Sequence, residues 1–589
     1  MRRPYPRTPH LPWSPGASAD DVRGGEPYGL VGREVVVTEK LDGENTTLYA
    51  DGSHARSLDS GHHPSRAWVK ALQGRVGHLI PYGWRVCGEN VYVRHSIAYD
   101  ALESWFYGFS VWDDGDRCLD WDHTVRFLRR LGIPTPPVLW RGVYDEKALR
   151  GLRLDTARQE GYVVRTVEGF AGEEFGRRVA KWVRREHVQT DVHWMYAPVV
   201  PNGLGPAAAL WEVRSGGTPD VRGLSAAVGV RPDAKINETV AEVVGGLHAL
   251  GRTGDARLAG VLAVLLRRGP RAWVAGRLAG PLGVPLARRV ADLVGLYDRL
   301  WSACPDEERR GGLVRMSFAA DLGVLHAVAR ACLAGRSDAE AEETRAQVEW
   351  SALHAEDAGL LGEDPLEPLR AGFAAELADA GVTGDAADRC WAEAREAYAD
   401  GRVRSAAEAV AATWRWRPGG FPRLIHLVGP AGSGKSTFAA NLPGVDARVS
   451  LDDLREARGA RADQRANADV LREGLDRLDA ALAKGGAVVW DATSLNRHQR
   501  ALVHAVARRR DALITHAVLL VDEDELARRN AVRSHPVPPE VLTAQLRRFA
   551  PPYPGHAHRT WYVGADGAIG DVDGVLSRAG DVWGTDAYQ

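Results

Sequence analysis

The run Arg423-Leu-Ile-His-Leu-Val-Gly429-Pro-Ala-Gly432-Ser433-Gly434-Lys435-Ser436-Thr437 places an apolar stretch directly before GxxxxGK[ST] and a helical stretch directly after it. This order of strand, glycine loop and helix is what a phosphate cradle needs. Glycines let backbone N–H groups close around an anion, the helix N-terminus adds positive potential, Lys435 reaches the β- and γ-phosphates, and Ser436 can hold Mg²⁺. The residues expected to line it are Gly429, Gly432, Ser433, Gly434, Lys435, Ser436 and Thr437. Further apolar runs, AVVWDAT and ITHAVLLV, alternate with helical stretches beyond it. Strand–helix alternation of this kind predicts a parallel sheet flanked by helices over residues 413–589.

Downstream lies an acceptor side. Asp452-Asp453-Leu-Arg455 follows the loop by about 16 residues, at the expected end of a second strand. A carboxylate facing the γ-phosphate can take the proton of an attacking hydroxyl, and an arginine one turn on can grip an acceptor phosphate. The plainer reading of Asp452 is an N-cap of the following helix. In these residues the chain resembles the polynucleotide 5′-kinases over about 421–555. The resemblance implies that Asp452 is the general base and that Arg455 and Asp491 serve the polynucleotide acceptor. It also implies that Arg529 and Arg533, four apart in RRNAVRSHPVP, are lid arginines on the transferring phosphoryl; otherwise they are a basic helix surface.

The lysines point to a second site. Seven lysines stand against 68 arginines, and Lys40, Lys181 and Lys435 all fall in segments with nucleotide-handling patterns. A compact, deprotonatable amine does what guanidinium cannot, since it can act as a nucleophile. Lys70, Lys147, Lys235 and Lys484 read as surface residues. Glu39-Lys40-Leu41-Asp42-Gly43 contains KxDG, and Gly88-Glu89-Asn90, Phe106-Tyr-Gly-Phe109, Glu160-Gly161 and Val179-Ala-Lys181-Trp182 follow in order. This series resembles the covalent nucleotidyltransferases, in particular the RNA ligase 2-like ATP-dependent RNA ligases, over about residues 5–195.

A lysine kept neutral by desolvation or nearby positive charge can attack the α-phosphate of ATP, giving a lysyl–AMP phosphoramidate. Lys40 is the candidate. Separated carboxylates, Glu89 and Glu160, suit the Mg²⁺ (or Mn²⁺) that offsets phosphate charge. The resemblance implies that Lys181 touches the α-phosphate, Phe109 stacks on adenine, Glu39 reads the adenine edge and Arg56 sits near the nucleotide and the 5′-phosphate. Val179 departs from the family pattern, which often has a first lysine there, so phosphate contacts fall to Arg184 or are fewer.

Around these motifs, short β-rich runs from Glu34 to about Trp194 predict an α+β nucleotidyltransferase domain over 1–200, with residues 1–30 irregular. Pro201, Gly203, Gly205 and Pro206 suggest a linker over 201–232. Residues 233–412, rich in Ala, Leu and Arg at helical spacing, predict a central all-α domain. Its His248, His326 and His354 come without the His-Asp pair of HD-type phosphohydrolases, so the preferred reading is a helical domain with packed histidines and lost or absent metal chemistry, a degenerate HD-type fold being one form it could take. The fold class is therefore multidomain: α+β, all-α, then an α/β P-loop kinase domain.

Bulk properties set limits. A formal net charge of −2 excludes a polybasic protein, leaving local patches such as Arg177, Arg178, Lys181, Arg184 and Arg185 to meet nucleic acid. Five scattered cysteines without CxxC spacing argue against a disulfide framework or a zinc site. A reducing cytoplasm fits, with neither secretion nor membrane insertion expected. The reading is an RNA end-healing and sealing enzyme using ATP, whose partner is RNA with 5′-OH or 5′-phosphate and 3′-OH ends; 3′-end cleaning falls to a separate enzyme. The rivals are a DNA-directed kinase–ligase and a non-catalytic nucleotide-sensing, RNA-binding scaffold.

Overall fold

The structure, a computed structural model, describes residues 2–17, 21–22, 29–58, 63–185, 198–231, 236–458, 467–533 and 535–577. It divides into two compact units, Met1–Asp233 with Gly251–Leu258, and Ala234–Leu250 with Ala259–Gln589.

The N-terminal unit is mixed α/β. Its strands are β1 (Glu34–Lys40), β2 (Glu44–Tyr49), β3 (Gly52–Ala55), β4 (Arg85–Asn90), β5 (Phe106–Trp112), β6 (Arg117–Cys118), β7 (Val138–Val143), β8 (Gly161–Thr166), β9 (Phe170–Ala171) and β10 (Val179–Val183). They form a four-stranded sheet, β10-β8-β1-β7, and a six-stranded sheet, β3-β2-β4-β5-β6-β9. The β-branched run Val35-Val36-Val37 is fully buried because β1 lies between β7 and β8. In the second sheet Leu48, Val86, Phe106 and Val111 pack with Val69, Leu72, Leu128 and Leu131 from two helices. The helix Trp121–Leu131 starts where Asp120 accepts from His123 N and stops at Gly132, φ +72°.

Residues 201–232, read as a linker from their prolines and glycines, hold two short helices, Ala208–Arg214 and Val221–Val228, with Leu210, Val213, Leu224 and Val228 buried. Residues 251–258 belong to this unit for an electrostatic reason: Asp255 accepts from Arg214 at 2.8 Å and from Arg129 at 2.5 Å.

The second unit combines the central helical region with an α/β sheet. The helices run from Ile236–Ala249 to Ala406–Ala412. The strands are β11 (Arg423–Val428), β12 (Ala447–Ser450), β13 (Ala487–Asp491), β14 (Leu513–Leu519), β15 (Arg559–Val563) and β16 (Ile569–Asp573), in the order β12-β13-β11-β14-β15-β16. All neighbours pair in parallel except β15 and β16. The chain leaves β11 to one side and returns to its other side with β14. The carboxyl ends of β11 and β13 thus meet at the point where strand order reverses, where open α/β sheets place their ligands.

Among the described residues no single helix is long and apolar enough to cross a membrane; the pair Asp306–Ser317 and Leu322–Leu333 passes by length and composition but is bent by 105°. Lys70, Lys147 and Lys484 are exposed, while Lys235 lies outside the described residues.

Candidate active sites

In the N-terminal unit, Lys40 ends β1 of one sheet and Glu44 begins β2 of the other, so Leu41-Asp42-Gly43 is the crossing between the sheets. A side chain at Gly43 would put its Cβ 2.5 Å from the carbonyl oxygen of Asn90, so only glycine permits the crossing. Asp42 accepts from the backbone N–H of Ser96 (2.8 Å) and Ile97 (3.0 Å), which ties the crossing to the loop after β4.

Lys40 Nζ donates to Glu160 Oε2 at 2.5 Å. Burial works to lower this ammonium's pKa, but Glu160, Glu89 and Asp42 outweigh it and hold the group above the ordinary lysine value. These acidic neighbours favour the charged form of Lys40, whereas nucleophilic attack calls for a neutral amine. Glu89 is pushed up to about 8, first by burial and then by Glu160, Asp42 and Glu44, against the pull of Lys40. Clustered acidic side chains offer hard oxygen donors, and a divalent cation would offset their mutual repulsion, so the donor set fits a metal. Lys181 is lowered by burial and by the charge of Lys40, and its Nζ lies 3.7 Å from Asp21.

The other expected residues are placed as follows. Arg56 is exposed, with its guanidinium lowered by burial and by Arg7 and raised by Glu89. The Glu39 carboxylate accepts from Gln159 Nε2 at 2.9 Å, a partner not foreseen. Phe109 is half-buried, its ring meeting the edge of Tyr5 at 5.1 Å. Arg178 in the basic run is bound to Glu174 and Glu168, so the patch is partly neutralised. Residues 2–17 are not merely irregular: Leu11 N donates to Lys181 O and Lys181 N to Pro9 O, so the segment lies along β10.

In the second unit the loop after β11 has Gly432 and Gly434 at φ +82° and +94°. Gly434 is the N-cap of the helix Lys435–Ala440. Lys435 is buried, donates to Pro430 O at 2.8 Å, and is dropped to about 8 by burial, against the pull of Asp491 and Asp452 and with help from Arg533. These four charged groups therefore converge on the loop. Asp452 lies in the first turn of Leu451–Ala457, whose N-cap is Ser450, so the capping reading falls to the serine. Arg455 Nη1 donates to Asp452 at 2.6 Å. Asp491 is bound by Arg448, with Nη2 at 2.5 Å, a residue not singled out in the sequence. Arg529 donates to Glu525 and to Ala565 O, and Arg533 is exposed. One unforeseen group touches the loop, Gln545, whose Oε1 accepts from Ala431 N at 2.8 Å.

The helical histidines do not form a cluster. His326 is packed between Leu322 O and Ser351 Oγ, His354 Nε2 lies 3.3 Å from Asp306, and His248 is exposed.

A family model described as RNA ligase matches residues 33–183, and one described as AAA domain matches 424–552. The chain thus carries an RNA ligase domain in its N-terminal part and a P-loop, kinase-like domain in its C-terminal part, which supports ligase and kinase activity in general terms. No curated protein matches the chain. Among solved structures it is similar to an RNA ligase of Naegleria gruberi with ATP and Mn (17% identity, 27% of this chain and 51% of that one, TM-score 0.21). It is also similar to a gluconokinase of Sinorhizobium meliloti (23%, 25% and 83%, 0.19) and to the APS kinase of Mycobacterium tuberculosis (20%, 25% and 91%, 0.20). The chain spans about half the length of the Naegleria gruberi ligase.

Proposed function

We propose that the chain heals and seals RNA ends: it phosphorylates a 5′-OH end with ATP and joins the resulting 5′-phosphate to a 3′-OH. The observation that carries this reading is the presence of two separate lysine centres, Lys40 among Glu160, Glu89 and Asp42, and Lys435 facing Asp491 and Asp452.

In the sealing site, Lys40 Nζ attacks the α-phosphorus of ATP, an N–P bond forms, and the P–O bond to pyrophosphate breaks. The ammonium must lose a proton to solvent before it attacks, and a cation that took over Glu160, its partner at 2.5 Å, would weaken the hold on that proton. A divalent cation, Mg²⁺ or Mn²⁺, held by Glu89 and Glu160 would supply charge neutralisation at the phosphates. Lys181 contacts the α-phosphate, Arg56 the 5′-phosphate, and Glu39 with Phe109 the adenine. AMP passes from Lys40 to the RNA 5′-phosphate, and the 3′-oxygen then displaces it.

In the healing site the backbone N–H groups of residues 432–437 and Lys435 hold the β- and γ-phosphates, and Ser436 would hold the cation. Asp452 takes the proton of the 5′-hydroxyl as its oxygen bonds to the γ-phosphorus, the bond from that phosphorus to the β,γ-bridging oxygen breaks, and ADP leaves. Arg455 and Asp491 orient the acceptor, and Arg529 and Arg533 offset charge on the transferring group. The reading places the protein in the cytoplasm, with 3′ ends prepared by a separate enzyme. Its test is the joining of a broken RNA carrying 5′-OH and 3′-OH ends by the purified protein with ATP and Mg²⁺. Failure to join this RNA and also its 5′-phosphorylated form would overturn the reading.

A further inference from the structure

Three histidines far apart in sequence meet inside the second unit. His426 on β11 and His516 on β14 are directly paired in register on adjacent parallel strands, and His504 comes from the helix Arg497–Arg509. All three are buried, with exposures of 0%, 0% and 7%. They stand on the sheet face where Leu424 and Ile514, two residues earlier on the same strands, pack with Val503 and Ala507 in the apolar core. A position that elsewhere on this face holds an aliphatic side chain holds imidazole here.

The polar atoms of this group are only partly satisfied. His504 Nε2 and His516 Nε2 share one hydrogen bond at 2.9 Å, and His426 Nε2 bonds Ser494 Oγ at 2.8 Å. His426 Nδ1 and His516 Nδ1 are buried without a hydrogen-bond partner. Buried nitrogens are almost always paired, so the orphaned His426 Nδ1, on a ring packed against the His504–His516 pair, points to a ligand. One ring nitrogen from each histidine lies within 4.8 Å of the other two.

We infer that His426, His504 and His516 form a transition-metal site, and that its ion is Zn²⁺. Imidazole nitrogens bind zinc at about 2.0–2.1 Å, so an ion replacing the proton shared by His504 and His516 needs those nitrogens to part only to about 3.3 Å. Burial holds all three imidazoles below the ordinary histidine range, His504 at about 3, so their lone pairs are free for coordination. The Ser494 contact on His426 matches the outer partner that fixes a ligating ring. Ser494 is itself held at φ +48°, and its carbonyl accepts from Arg500 Nη1 at 3.0 Å. The nearby Arg500 charge disfavours hard cations held by electrostatics alone, leaving an ion whose bonds to nitrogen are strong. The site would brace the two strands that lead to the phosphate loop and to Leu519, with Ser494 three residues beyond β13.

The test is zinc content and coordination of the full chain, loaded with Zn²⁺ and dialysed against buffer without nucleotide. The expected result is one equivalent of zinc per chain whose X-ray absorption shows three imidazole nitrogens, falling to below one tenth of an equivalent in His504→Leu and His516→Leu. Zinc absent from the wild type, or surrounded by oxygen alone, overturns the inference. Should either variant fail to fold, the wild-type absorption spectrum alone decides.

Discussion

Arg455 donates to Asp452 across 2.6 Å, so the group expected to grip the acceptor and the group expected to activate it are each other's partner. If the two residues have the proposed roles, an acceptor phosphate that draws Arg455 away would release the Asp452 carboxylate at the same moment, coupling binding of the acceptor to its activation. Arg455→Ala is expected to lower kcat/KM for a phosphate-bearing acceptor by on the order of 10- to 100-fold, the range for loss of a charge-assisted hydrogen bond. A bare nucleoside acceptor should be affected far less, and steady-state kinetics on the two acceptors checks this.

Gly434 stands at φ +94°, where an L-residue is strained by about 1–2 kcal/mol. Its substitution also displaces the first amides of the helix Lys435–Ala440 from the phosphates. Gly434→Ala in a Lys40→Ala background should weaken ATP binding by at least tenfold, measured by calorimetry, with the melting temperature little changed.

Lys181 is set on β10, whose edge is covered by residues 9–11. Lys181→Ala should slow covalent adenylation in a single turnover by on the order of 100-fold, as for loss of one preorganised donor at a developing charge. Because Lys181 also lies 3.7 Å from Asp21, Asp21→Ala should slow it less.

Much of this was legible because it is contiguous. The phosphate loop, KLDG and the strand runs from Glu34 to Val183 carry their meaning in adjacent residues, and the structure puts strands on the apolar runs beside both motifs. What was not legible is built from distant pairs. The segment with Pro9 and Leu11 reads as irregular because it has no alternation, yet β10 supplies its partners. Arg448 on Asp491 and Gln159 on Glu39 are ordinary polar residues until strands bring them alongside. The protonation of Lys40 depends on Glu89 and Glu160, which are 49 and 120 residues away. The histidine cluster spans residues 426–516 and leaves no spacing signature, so the absence of CxxC motifs said nothing about it.

Asp255 anchors residues 251–258 to the N-terminal unit through Arg214 and Arg129. Burial raises its carboxyl, but the two arginines outweigh this and hold it below the ordinary aspartate value. Its stabilising contribution is therefore present above that value and is lost as pH falls through the lowered one. Asp255→Ala leaves Arg214 buried and unpaired, which should cost about 3 kcal/mol at neutral pH. The difference from wild type should shrink below about pH 4, the ordinary aspartate range, and chemical denaturation at the two pH values checks the sign.

The central claim is that two independent lysine centres share one chain, and the most direct measurement is a crossed labelling experiment. Wild type, Lys40→Ala and Asp452→Asn are each given α-labelled ATP, to read the protein adenylate, and γ-labelled ATP with a 5′-OH RNA, to read phosphoryl transfer. Lys40→Ala should lose the adenylate and keep transfer; Asp452→Asn should keep the adenylate and lose transfer by at least 100-fold. An adenylate that survives in Lys40→Ala, or transfer that survives in Asp452→Asn, would contradict the account.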